Sequence, residues 1–171
     1  MRSFFTLDEL NTMRHLQQNL DIKVRDNNDI SHDESLILEK FLAIKTELFE
    51  FANEVESFKY WKKNKGKSNQ LEEACDVLHF VLSIAIEMDV ELVECGQPEN
   101  YDPDKYDTNE LFGIMDCMIS DMYIEKDWTE LNSFLLLLGV TVNKCGYDIE
   151  DLYKSYISKN KTNHKRQDNN Y

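Results

Sequence analysis

The stretch Ile37-Leu38-Glu39-Lys40-Phe41-Leu42-Ala43-Ile44-Lys45-Thr46-Glu47-Leu48-Phe49-Glu50-Phe51 decides the fold. Ile37, Phe41, Ile44, Leu48 and Phe51 recur at spacings of three and four, and Val55 and Phe58 continue the series. That period puts them along one side of a helix. The spacing predicts a long helix opening at His32 or Asp33 and running to about Lys63, with Gly66 as the breaker.

The same period extends outward in both directions. Leu7, Leu10, Met13, Leu16 and Leu20 predict a first helix from Thr6 to about Val24, followed by a polar loop from Asp21 to Ser31. Leu71, Leu78, Val81, Leu82, Ala85 and Ile86 predict a central helix from Asn69 to Val90. Both prolines and many acids fall between Glu91 and Asp107, which is the long connection, an insertion or a lid. Two helices follow, about Thr108 to Glu125 and Trp128 to Lys144, with Gly146 suited to the turn after them. A last helix begins near Asp148 and fades into the tail. With no period-2 strand pattern and no repeat, the fold class is all-α, a bundle of five to six helices.

Composition sets the outer bounds. A chain of 171 residues with 42% apolar residues, five Gly and two Pro is one folded domain, 1–171, in this reading. Net charge is 19 minus 33, or −14, which repels long polyphosphates and argues against nucleic acid as the main partner. Nothing resembles a leader or a membrane span, and Cys75, Cys95, Cys117 and Cys145 form no C-x-x-C pair. A cytoplasmic protein with mostly packed, reduced thiols is expected.

Two acidic pairs stand out: Glu47-Leu-Phe-Glu50 and Glu73-Ala-Cys-Asp76, each at i, i+3 on an otherwise apolar helix. If the two helices pack antiparallel, four carboxylates converge, and they repel one another unless cations fill the space. Oxygen ligands alone suit Mg²⁺ or Mn²⁺, and the chemistry that follows is attack of water on phosphorus. Spacing by itself leaves a solvated pair of acids equally open. Glu54, one turn from Glu50, could join the cluster, while Glu56 and Glu72 look like ordinary exposed acids. Asp76-x-x-His79 brings in carboxylate-bridged di-iron bundles, but the motif occurs once, so His79 is expected in a packed or supporting role.

The paired acids resemble the signature of the all-α NTP pyrophosphatase (MazG-like) superfamily. Three surrounding stretches, Leu16 to Asp21, Ala52 to Lys62 and Asp76 to Phe80, narrow the resemblance to the dimeric, all-α dUTPases. A fourth, Lys159 to Gln167, is similar to that family's C-terminal Lys-Asn…Asn-x-x-Arg-Gln segment. The resemblance is weakest from 91 to 124, and the ending Asp168-Asn169-Asn170-Tyr171 lacks the family's glycine.

The resemblance implies a homodimer that hydrolyses dUTP, and also dUDP, between the α and β phosphates. It implies Glu47, Glu50, Glu73 and Asp76 as Mg²⁺ ligands, one of the glutamates also orienting or deprotonating the water. Gln17 or Asn19 and Trp61, with Lys59 nearby, would meet the base and sugar of a deoxyuridine nucleotide; Lys159, Asn163 and Arg166 would be phosphate or closing-segment contacts. The segment 152–171 is basic, with five cations and no acid from Leu152 to Gln167, which also suits a helix C-terminus. A pyrophosphatase of other base preference, MazG-like or dCTPase-like, and a non-catalytic helical interaction protein are the competing readings.

Overall fold

A computed structural model describes residues 1–94 and 105–169. Its helices are α1 (Leu7–Asn27), α2 (Ile37–Val55), α3 (Gln70–Glu87), α4 (Thr108–Glu125), α5 (Leu131–Lys144) and α6 (Ile149–Asp168), with no strand among the described residues. Most of the expected 91–107 connection lies outside them. Three helices open on capping boxes: Thr6 with Glu9, Asp107 with Glu110, and Asp148 with Asp151. Each box satisfies backbone N–H groups that the first helical turn leaves without partners.

The central element is α3. Ala74, Cys75, Val77, Leu78, Val81, Leu82, Ile84 and Ala85 are all excluded from solvent, because α1, α2, α5 and α6 pack around it. Antiparallel packing of α2 on α3 is fixed at both ends. Leu36 N–H and Ser35 Oγ donate to Glu87 at the end of α3, while Lys67 reaches back to Glu54 near the end of α2 at 2.7 Å. Beyond α2, Phe51 meets Phe112 edge-on and Phe41 stacks on Tyr123 of α4.

Several boundaries depart from the periodicity, most of them through polar pairing. The α2 helix stops at Val55 rather than Lys63, because Glu56 turns left-handed at φ 59. Its carboxylate is buried, 2% exposed, and accepts from Lys59 at 3.0 Å and from Lys62. Glu56 is therefore not the exposed acid expected. At the other end α2 starts at Ile37, later than His32 or Asp33. The α1 helix runs on to Asn27, through residues read as loop, because Asp21 and Arg25 turn inward to Ser83 and Glu87. The α6 helix does not fade. Lys23 pairs with Asp168 and Asn27 donates to Gln167 O at 2.7 Å, tying its last turn to α1.

One glycine is required by contact. A Cβ on Gly139 would lie 2.0 Å from Ser3 O, so the N-terminal segment crosses α5 only because that side chain is missing. Cys75, Cys117 and Cys145 are free thiols, and burial pushes Cys75 up to about 12 and Cys145 up to about 11. No helix among the described residues is long and apolar enough to cross a membrane.

Candidate active site

The i, i+3 pairs on α2 and α3 do face one another. Carboxylate oxygens of Glu47, Glu73 and Asp76 lie within 4.8 Å of one another. Glu50 stands on the open, solvent-facing side, close enough that its charge acts on both Glu47 and Glu73. Glu54 does not join them; it pairs with Lys67.

Crowding of like charges at a partly buried place raises proton affinity. Burial, then repulsion from Asp76, Glu50 and Glu73, pushes the Glu47 carboxyl up to about 7, and Lys159 only partly opposes it. Glu73 is raised by burial, then by Asp76 and Glu50. Asp76 is raised by burial despite a direct hydrogen bond from Lys159 Nζ, which also reaches Glu72 at 3.3 Å. Lys159 is thus the internal counter-ion of the group, standing where other cations would be attracted. Three converging oxygen donors, with no thiolate or imidazole among them, fit a hard divalent cation.

Beside the acids opens a cavity of about 520 Å³, within the range of nucleotide-sized sites. Glu47 and Asp76 line one part; Gln17, His79 and Phe80 line another; Lys159, Asn163 and Arg166 of α6 border it. Of the residues that the sequence singled out, Gln17, Lys159, Asn163 and Arg166 are therefore brought to the acids. Asn19, Lys59 and Trp61 are not among the lining residues. Asn19 Nδ2 lies 3.2 Å from His15 Nε2, and Lys59 is held by Asn53 and Glu56. Trp61 is 64% exposed, edge-on against Phe58 and Tyr60.

Gln17 is present but already occupied. Its Nε2 donates to Asp21 Oδ1 at 2.7 Å, and its Oε1 accepts from Tyr156 OH at 3.0 Å and faces His79 Nδ1 at 2.8 Å. Burial, then the nearby Lys159 charge, pushes His79 down to about 3, so the ring is neutral at physiological pH. Its other nitrogen, Nε2, is buried without a hydrogen-bond partner. Sequence reasoning did not assign Asp21 or Tyr156 to the site and expected His79 only in a packed or supporting role. The i, i+4 spacing of Gln17 and Asp21 was the available signal for the first.

An all-helical bundle that converges carboxylates beside such a cavity is consistent with the class of α-helical nucleotide pyrophosphohydrolases. The chain belongs to the dUTPase family, which matches residues 9–171, and is a nucleoside triphosphate pyrophosphohydrolase acting on dUTP. The family is generally dependent on a divalent metal, and its substrate is a nucleotide. No curated protein matches the chain significantly.

Proposed function

We propose that Glu47, Glu73 and Asp76 hold Mg²⁺, for which Mn²⁺ substitutes, and that the cavity takes dUTP or dUDP with its phosphates toward α6. The observation that carries this reading is the meeting of three carboxylates within 4.8 Å at the wall of the cavity. When bound, the divalent cation makes water a better nucleophile and neutralises charge on the leaving phosphate. The chain's own residues supply the rest.

Glu50, outside the three-membered group and open to solvent, orients the attacking water and takes its proton. Lys159 moves from Asp76 to a phosphate oxygen once the acids gain another cation. Arg166, whose Nη1 lies 3.4 Å from Asn163 Oδ1, adds a planar fork to the same phosphates. Attack between the α and β phosphates then gives dUMP and pyrophosphate from dUTP, or dUMP and phosphate from dUDP. Gln17 acts from behind, through the residues it holds. Asn19, Lys59 and Trp61 lie outside the lining of this cavity.

We place the enzyme in the cytoplasm, as a homodimer joined through the exposed apolar stripe of α2, Leu38, Leu42 and Phe49. The test of the activity is product release from dUTP, dUDP, dCTP, dTTP and UTP, each with Mg²⁺ and with EDTA. Mg²⁺-dependent preference for the deoxyuridine nucleotides is expected. Preference for dCTP or another nucleotide would keep the cation chemistry and discard the base pocket. Inactivity on all of them would return the chain to an interaction role.

A further inference from the structure

We propose that Asp21 is a positioning residue for nucleotide recognition: through Gln17 it fixes His79 as the Nδ1–H tautomer and leaves Nε2, an unpaired acceptor, for the nucleotide. The recognition half rests on the proposed use of the cavity; the tautomer half does not.

Asp21 lies on α1 and faces the bundle. Its Oδ2 accepts from Ser83 Oγ at 2.7 Å, its Oδ1 accepts from Gln17 Nε2 at 2.7 Å, and Lys40 Nζ is 3.9 Å away. A carboxylate can only accept. The Gln17 amide must therefore turn its NH₂ toward Asp21 and its oxygen toward His79 and Tyr156. Tyr156 could not impose this orientation, because its single proton has a second acceptor in Met13 O at 3.1 Å. With the amide reversed, the phenol oxygen would accept from Gln17 and donate to Met13. Asp21, accepting from Gln17 Nε2 at 2.7 Å, breaks the tie.

The consequence passes to the next ring. Gln17 Oε1 accepts only, so the nitrogen 2.8 Å from it, His79 Nδ1, must carry the proton. A neutral imidazole has one proton, which leaves Nε2 as a lone-pair acceptor. His79 is only 6% exposed and lines the cavity, and Nε2 has no hydrogen-bond partner in the protein. Such an acceptor calls for an N–H or O–H donor on the ligand. A nucleoside offers two kinds, an imide N–H on the base and a hydroxyl on the sugar.

The test uses the full chain labelled with ¹⁵N-histidine, read by long-range ¹H–¹⁵N correlation without metal or nucleotide, with His79→Asn to assign the ring. Wild type is expected to give the Nδ1–H pattern. Asp21→Asn should keep it, since the amide oxygen can still accept from Gln17 while its NH₂ donates to Ser83. Asp21→Leu should yield Nε2–H or a mixture of tautomers, and should weaken dUMP binding by calorimetry about tenfold or more, the loss expected for one buried hydrogen bond. If Asp21→Leu does not fold, Gln17→Met poses the same question and should also release the tautomer. An Nε2–H pattern in wild type, or an unchanged Nδ1–H pattern in both Asp21→Leu and Gln17→Met, would overturn the proposal.

Two analogues separate the donors: 3-methyl-dUMP lacks the imide N–H and 2′,3′-dideoxyuridine monophosphate lacks the 3′-hydroxyl. At least one should bind about tenfold more weakly than dUMP. If both bind as dUMP does, or if wild type binds no dUMP, the recognition half is overturned, while the spectra still decide whether Asp21 sets the ring.

Discussion

Glu47 carries two conflicting demands, and they give a measurable pH signature. As a proposed cation ligand it must be ionised, yet burial and three neighbouring acids raise it to about 7. The folded state therefore binds a proton more tightly than the unfolded chain. Stability is lost as pH rises from about 4.5 to about 7, because an acid raised on folding favours the fold only while protonated. Since Glu47 is partly open to solvent, the effect is discounted to on the order of 1 kcal/mol, or roughly 2–4 °C in Tm. In EDTA, Glu47→Gln should thus melt higher than wild type at pH 8 and about equally at pH 4.5. Added Mg²⁺ should stabilise wild type and not the variant. A constant difference in Tm across that range would refute the crowding account. Turnover should be lost separately: Glu50→Gln and Asp76→Asn are each expected to cost at least a hundredfold in kcat with circular dichroism unchanged. Wild-type rates in both would sink the site.

The helices themselves were largely legible, and the reason lies in their apolar faces. Ile44, Leu48 and Phe51 on α2, and Leu78, Val81, Leu82 and Ala85 on α3, are buried as their spacing implied. The facing of Glu47 with Glu73 and Asp76 followed from that register. What could not be read was polar pairing across elements. Asp21 looked like loop because its partners, Ser83 and Lys40, lie on other helices. Glu56 looked exposed because periodicity says nothing of a left-handed turn closed by Lys59 and Lys62. Trp61, expected at the nucleotide by resemblance, stands 64% exposed beyond that turn. Glycines give the matching test for elements. Gly139→Ala would drive Cβ into Ser3 O and should destabilise by about 2 kcal/mol as the N-terminal segment is displaced from α5. Gly113→Ala meets nothing within 4 Å inside α4 and should stabilise by roughly 0.5–1 kcal/mol. Thermal melts of the two variants should move in opposite directions, and a shared direction would mean that the crossing at Gly139 is misassigned.

For the molecule as a whole, charge and apolar surface pull against each other. Two copies at −14 each repel, so association needs apolar area to outweigh that repulsion. The α2 helix divides this labour between its flanks. One flank carries Glu47, Glu50 and Glu54; the other carries Leu38, Leu42 and Phe49, 47%, 56% and 51% exposed, in a stripe three turns long that no element among the described residues covers. Apolar side chains aligned in this way mark an association surface more readily than scattered ones. The proposed homodimer would bury that stripe while leaving the acid flank open to nucleotide. Sedimentation equilibrium at about 10 μM should then report a dimer that tightens as salt rises from about 0.05 to 0.5 M, because screening removes repulsion without weakening apolar burial. The double variant Leu42→Asp, Phe49→Asp should sediment as a monomer with its helical content intact, since neither side chain belongs to the core. A monomeric wild type would remove the dimer altogether. A double variant that still dimerises would move the interface off α2 and leave the stripe without a partner.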